Sequence, residues 1–191
     1  MIIVPFGSDC GVSECLKKYN LRSFSFPFDW TVTYNGIAKC IDEDFKNFIP
    51  KSDRINDYDI YFHHDFTPDT FNNDEAKYKR RILRLQNILE HSEEEVVFLR
   101  KGHSPHHHGE HNGRYTVIKS DLEDAEYLDA VLSNRYKNLK YKIVVTLVCG
   151  KCFDKDITYV THSDRIELHN TTTPSYDDER FEQCVRSIFK V

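Results

Sequence analysis

The sequence lacks any apolar run close to the length that crosses a bilayer, about 20 residues. Its first residues, 1–7, carry neither the basic start nor the long apolar stretch of a secretory signal peptide. These two absences predict a cytoplasmic protein with no membrane partner. In that reducing compartment the six cysteines are expected to be mostly free thiols rather than disulfides.

Glycine and proline are scarce, with seven and six residues, which argues against a linker-rich or disordered chain. The formal charge of −5 lacks the basic field of a typical nucleic-acid binder, so we expect no nucleic-acid partner. Hydrophobic residues make up 39% of the chain and include 13 Phe and 11 Tyr. This content is enough for a core, and 191 residues predict a single domain over 1–191.

Three common cofactor and nucleophile signatures are missing from the chain. It contains no Walker loop, no GxGxxG motif and no GxSxG motif. Readings as an ATP-binding protein, a dinucleotide-binding protein or a standard serine hydrolase therefore have no support. We predict no cofactor.

Hydrophobic periodicity predicts strands that mostly alternate with helices. The predicted strands are residues 2–6, 58–63, 95–99 and 141–148, with further short strands at 158–161 and 166–168. The predicted helices are 11–19, 36–48, 74–91, 120–136 and a last one from Asp177 or Asp178, while 21–34 is an ordered aromatic loop. This alternation favours an α/β fold with a central, mostly parallel sheet and helices on both faces.

Several chemically capable residues fall at or just after predicted strand ends, where ligands of such sheets usually bind. They are Cys10, His63, His64, Arg100 and Cys149. Cys10 stands in a turn of small residues that leads into the first helix. Amide donors and the helix dipole there favour a thiolate and offer an oxyanion site, although a small buried cysteine is about equally expected.

The segment His63-His64-Asp65 supplies the base and the orienting carboxylate that a thiol nucleophile needs. In a strand the two imidazoles point to opposite faces, so only one can face Cys10. His64 is the preferred base and Asp65 its partner, with His162 and His169 as rivals. The competing interpretation makes one histidine a surface residue and the other a hydrogen-bonded core residue.

Two further features allow both a functional and a structural interpretation. Asp29, between Phe28 and Trp30, either orients a histidine or fixes a packed aromatic corner. Arg100 either binds an anionic substrate or pairs with a nearby Glu.

Metal binding has weak support. Cys149 and Cys152 form a single CxxC, which is half of a structural zinc site. Residues 101–114 are predicted to be an exposed His-rich loop, dense in histidine but without metalloprotease spacing. We therefore predict no functional metal site.

Six ordered segments together resemble a family described as putative papain-like cysteine peptidases, over roughly residues 3–148. They are Phe6-Gly7-Ser8-Asp9-Cys10, Leu21-Arg22-Ser23, Pro27-Phe28-Asp29-Trp30, His64-Asp65-Phe66, Arg80-Arg81-Ile82 and Phe98-Leu99-Arg100. The resemblance implies a thiol protease with Cys10 as nucleophile, His64 as base and Asp65 or Asp29 as orienter. It also implies an α+β papain-like fold, the alternative to the parallel sheet.

Three hypotheses of function follow. The first is a cysteine-dependent hydrolase or acyltransferase that acts on a peptide or another acyl substrate. The second is a transferase or binding protein for an anionic ligand such as a nucleotide or sugar phosphate. In this hypothesis the anion is held by Arg100 and by the Arg-rich face of the predicted helix 74–91, which carries Arg80, Arg81 and Arg84. The third is a non-catalytic interaction domain.

Overall fold

The computed structural model describes residues 1–7, 9–33, 35–51, 53–102, 110–111, 115–116, 121–147, 161–170 and 178–191. Its strands are β1 (Ile2–Gly7), β2 (Val96–Gly102), β3 (Glu110–His111), β4 (Tyr115–Thr116), β5 (Tyr141–Leu147) and β6 (Ile166–Asn170). Its helices are α1 (Gly11–Lys18), α2 (Ile37–Asp42), α3 (Phe71–His91), α4 (Asp121–Arg135) and α5 (Asp178–Phe189).

Four of the strands form one sheet in the order β1-β2-β5-β6, and every neighbouring pair is parallel. Strands β3 and β4 form a separate antiparallel pair. Consecutive residues of β1, β2 and β5 are buried on both faces, as expected for a parallel sheet covered by helices. The predicted α/β architecture is confirmed, and the papain-like alternative is also compatible with the structure.

Alternate residues of the strands enter two separate cores. One core packs α2, α3 and α4 against residues such as Val4, Phe98 and Val145. The other packs α1 and α5 against Ile3 and Leu99, among others. Because parallel strands end at a common edge, the carboxyl ends of β1 and β2 bring Gly7 and Lys101 side by side.

The predicted helix 36–48 is too long. Helix α2 ends at Asp42, and Asp44 and Phe45 adopt left-handed backbone angles, with φ of 53° and 61°. Phe45 and Phe48 are nevertheless buried in the core. Their helical spacing therefore reflects packing in the core and not a continuous helix.

The predicted strand 58–63 is wrong. Only isolated bridges occur there, from Tyr61 to Val32 and to Ile55. The Asn56 side chain explains the difference, because its oxygen accepts hydrogen bonds from the backbone amides of residues 58 and 60. These bonds form a tight turn where the aromatic alternation suggested a strand.

The remaining elements agree closely with prediction, apart from boundaries. Helix α3 begins three residues earlier than predicted, and β2 continues to Gly102. Lys101 and Gly102 are thus buried in the sheet and do not belong to an exposed loop. Residues 103–109 and 112–114 of the predicted loop lie outside the described residues, as do Cys149, Cys152 and residues 158–160.

Among the helices of the described ranges, none is both long and apolar enough to cross a membrane.

Candidate functional site

Cys10 occupies the position that the sequence predicts, at the turn from β1 into α1. It is the N-cap residue of α1 and is partly buried. The preceding residue, Asp9, accepts a hydrogen bond from the Gly11 amide at 2.7 Å. This bond orders the turn, and it also occupies one of the amide donors that the sequence offered for an oxyanion.

Lys101 is the neighbour that sequence reasoning missed. Its side chain is fully buried at the end of β2, and its Nζ lies 3.0 Å from Asp9 Oδ2 and 3.3 Å from Oδ1. The ammonium also lies 5.4 Å from the centre of the Phe181 ring of α5. A lysine is rarely buried unless it is paired, so Asp9 and the aromatic face account for its position.

Strand alternation contained a signal for Lys101. Val97 and Leu99 face the same core as α1, so the residue two positions further along β2 faces α1 as well. Assigning Lys101 to a polar loop hid this relationship.

The ionisation of Cys10 differs from the expectation. Burial, together with the Glu14 and Asp9 carboxylates, raises the pKa of the Cys10 thiol, and the Lys101 ammonium opposes this increase only in part. The prediction that the Cys10 thiol ionises easily is therefore wrong. A helix N-terminus alone does not outweigh two carboxylates and partial burial.

Each of the four candidate histidines is exposed or partly exposed. His63 and His64 are both exposed, and their rings contact each other with centroids 4.6 Å apart, so the predicted division between opposite faces is wrong. Within the described part of the chain, no hydrogen bond joins the Cys10 sulfur to an imidazole. His162 is exposed, and His169 lies in β6, where its Nε2 is 2.5 Å from Glu167 Oε1.

The backbone nevertheless connects the histidine turn to the end of β1. The Gly7 carbonyl accepts a hydrogen bond of 2.7 Å from the Thr33 amide. The adjacent Val32 exchanges two backbone hydrogen bonds with Tyr61, two residues before His63. The turn is thereby fixed to the same edge of the sheet as Cys10.

Asp65 does not orient His64 in this structure. Its two carboxylate oxygens accept hydrogen bonds from Lys77 Nζ and Tyr78 Oη, each at 2.7 Å. The buried position of Tyr78 and the nearby Asp65 charge raise the pKa of the Tyr78 hydroxyl, which stays a donor. Asp65 thus fastens the histidine turn to α3.

Asp29 is fully buried, and its carboxylate forms an ion pair with Arg22. Burial raises the pKa of this carboxyl even though Arg22 opposes the increase. Trp30 flanks the pair, with the Arg22 guanidinium 5.9 Å from its ring centre. These contacts agree with the packed-corner interpretation of this motif.

Arg100 is not available to a ligand. Its side chain is buried in β2, where Nε lies 2.6 Å from Asp121 Oδ1 and Nη1 lies 3.1 Å from Asp124 Oδ2. The prediction that Arg100 follows a strand and binds an anionic substrate is therefore wrong. The pairing alternative is correct in kind, but the partners are Asp121 and Asp124 and not a Glu.

No group of three or more His, Cys, Asp or Glu side chains in the described ranges is arranged to hold a metal ion. The CxxC cysteines and most of the His-rich tract lie outside those ranges.

The protein is thus a parallel α/β protein with a partly buried thiol at its first strand-to-helix turn, beside the carboxyl ends of β1 and β2. The chain belongs to the family described as "Putative papain-like cysteine peptidase", whose model matches residues 1–55 and 54–149. Comparisons with curated proteins and with solved structures found no match.

Proposed function

We propose that the protein is a cysteine-dependent hydrolase or acyltransferase in which the Cys10 thiol is the nucleophile. The observation that carries the proposal is the grouping of Cys10 with the Asp9–Lys101 ion pair at the carboxyl end of β1 and β2. Membership of a family described as cysteine peptidases supports the same chemistry.

In the proposed reaction the Cys10 sulfur attacks the carbonyl carbon of an acyl substrate as its proton passes to a base. The carbon–nitrogen or carbon–oxygen bond to the leaving group breaks, and the leaving group takes up the proton. The resulting thioester is cleaved by water, or by another nucleophile in an acyltransferase. A peptide or another acyl compound fits this scheme.

Lys101 supplies the positive charge that the reacting sulfur needs. An opposite charge nearby favours the ionised form of a thiol, and Lys101 lowers the pKa of Cys10 against the larger effects that raise it. Asp9 holds the ammonium in place while it bonds the first amide of α1. We assign Lys101 and Asp9 as positioning residues.

His64 remains the proposed base. A protonated thiol requires a proton acceptor at the moment of attack. The backbone bonds of Thr33 and Tyr61 support His64 in this role, because they connect the histidine turn to the end of β1. Catalytic hydrogen bonds often form only in the substrate complex. The roles of Asp65 and Asp29 stay predictions, and their ion pairs support positioning of the loops around the site.

The test compares two partly buried cysteines, Cys10 and Cys184, as matched thiols. Burial and the nearby Glu167 carboxylate raise the pKa of Cys184 to about 11, and no cation opposes that increase among the causes that act on it. We expect iodoacetamide at neutral pH to alkylate Cys10 first. We also expect Cys10→Ala, but not Cys184→Ser, to abolish hydrolysis of a fluorogenic peptide and acyl-ester panel.

Alkylation of Cys184 ahead of Cys10 would contradict the proposal, and so would turnover that survives Cys10→Ala. A wild-type protein that neither labels at Cys10 nor turns over any member of the panel supports the non-catalytic interaction domain instead.

A further inference from the structure

A pocket of about 290 Å³ lies where α1 ends, away from the candidate active site. It is lined by Lys17, Asn20, Arg22, Ser23, Phe24 and Ser25. Cys10 precedes the first turn of α1 and Lys17 belongs to the last, so about 10 Å of helix separates the two residues along the axis.

The pocket is electropositive in a chain with a formal charge of −5. Its lining carries Lys17 and Arg22 and no acidic side chain, but the buried Asp29 pairs with Arg22 and compensates its charge. A third cation, Arg84, adjoins the pocket because its Nη1 donates to the Ser25 carbonyl oxygen at 2.6 Å. That acceptor is neutral, so this hydrogen bond leaves the charge of Arg84 uncompensated.

Donor groups converge on the same pocket. Arg22 Nη2 donates to Ser25 Oγ at 3.1 Å, which leaves the Ser25 hydroxyl proton for another acceptor. The Arg22 Nε group is buried and has no hydrogen-bond partner within the described residues. Buried polar groups are normally bonded, so the described residues leave this donor unsatisfied.

The end of α1 does not repel an anion as strongly as an uncapped helix end. The carbonyl groups of residues 15–17 accept hydrogen bonds from the backbone amides of residues 19–21. Asn20 makes this possible with a left-handed φ of 55°. Capping of this kind satisfies the carbonyls that carry the negative end of the helix dipole.

Phe24 adds an aromatic surface to the pocket. Its side chain is 43% exposed, although large apolar residues are normally covered. The Arg84 guanidinium lies 5.9 Å from its ring centre, and Phe26 contacts it edge-on. A ligand ring can therefore pack against the exposed part of Phe24 while its anionic group meets the cations.

We propose that this pocket binds a phosphate monoester that carries an aromatic ring. A phosphoryl dianion calls for more than one cation and accepts hydrogen bonds from several directions. Lys17 and the adjoining Arg84 supply the two charges, and the Ser25 hydroxyl supplies a donor. Phe24 packs against the aromatic ring. The site is separate from Cys10, so it is a binding activity beyond the proposed catalysis.

The test is a titration of the ¹⁵N-labelled full-length chain with phenyl phosphate and with inorganic phosphate, followed by NMR. We expect saturable shifts of the amides of residues 17–25 with both ligands. Lys17→Gln should weaken binding at least about fivefold, as expected for loss of a charge-assisted hydrogen bond. Lys17→Arg should largely retain binding, and Lys46→Gln, which removes an exposed charge elsewhere, should leave it unchanged.

Phe24→Ala distinguishes binding of the aromatic ring from binding of the phosphate group. We expect this variant to weaken the binding of phenyl phosphate and to leave the binding of inorganic phosphate unchanged. An equal effect on both ligands would overturn the proposal that the ligand ring packs against Phe24. Shifts absent from residues 17–25, or equal weakening by Lys17→Gln and Lys46→Gln, would overturn the site as a whole. Because the titration requires no turnover, its result is independent of the role of Cys10.

Discussion

A Cβ atom on Gly7 would lie 2.5 Å from the carbonyl oxygen of Lys101, so β1 and β2 meet at a distance that excludes a side chain. Gly7 also has φ of 156°, a backbone angle that other residues rarely adopt. This contact fixes the start of the Cys10 turn against the strand that carries Lys101. The closeness of two backbones thus determines which charge the thiol experiences.

Gly7→Ala should therefore destabilise the protein by about 1–3 kcal/mol, the usual cost of overpacking. Urea unfolding measures the change, and Gly11→Ala is the matched control because Gly11 is the first residue of α1, where alanine is favoured. Equal stability of Gly7→Ala and the wild type would show that the strands can separate at no cost.

The pH dependence of Cys10 alkylation tests its electrostatic surroundings, namely Asp9, Glu14 and Lys101. Because the pKa of the thiol is raised, the alkylation rate should still increase above pH 9. Lys101→Met removes the opposing cation and should shift the profile to higher pH. Asp9→Asn removes a carboxylate and should shift it to lower pH.

The rates are measured by mass spectrometry of the Cys10 peptide, after urea unfolding has shown that each variant is folded. Because the two shifts have opposite signs, a general loosening of the structure cannot imitate both. Identical profiles for the two variants would remove Lys101 and Asp9 from the proposed site.

A His64→Gln variant separates proton transfer from thiol reactivity. No hydrogen bond joins the described histidines to the Cys10 sulfur, so alkylation of Cys10 should be unchanged. Turnover of an acyl substrate should fall by about 100-fold or more, the usual contribution of a general base. His63→Gln is the control, and a larger loss there would transfer the role to His63.

Helices and strands with a regular pattern of buried apolar residues could be predicted from the sequence, and helix α3 is an example. Its buried apolar residues repeat with helical spacing from Tyr78 to Leu89, so only the position of the first helical residue was missed. The carboxyl-end position of Cys10 follows equally from the buried run of β1 and the small residues after it. Local patterns of this kind need no knowledge of distant partners.

Features that depend on particular side-chain bonds, some of them to distant partners, were missed. The strand predicted at 58–63 is replaced by a turn because the Asn56 side chain bonds the backbone beyond it. Lys101 looked like the start of a polar loop because nothing local indicates that Asp9, 92 residues away, compensates its charge. Arg84, which adjoins the pocket at Lys17, likewise contacts Ser25 across 59 residues of sequence.

Asp129 should make stability depend on pH in the acidic range. Although burial raises the pKa of this carboxyl, hydrogen bonds from Arg165 and Tyr141 lower it below the ordinary value of 3.8. A lowered pKa in the folded state means that stability is present above pH 3.8 and is lost as the pH falls through the folded value. Asp129→Asn should make the unfolding free energy, measured with urea, less dependent on pH in this range. Asp69→Asn, at an exposed position, should not have this effect.

The buried cluster of Arg100, Asp121 and Asp124 gives a prediction about charge balance. Arg100→Met removes the guanidinium that pairs with two carboxylates buried in α4, which should cost about 3–5 kcal/mol of unfolding free energy. The triple variant that adds Asp121→Asn and Asp124→Asn removes all three charges together and should recover a large part of that loss. Urea unfolding of both variants measures the difference. If the triple variant is no more stable than Arg100→Met, the loss comes from packing around the guanidinium and not from uncompensated charge.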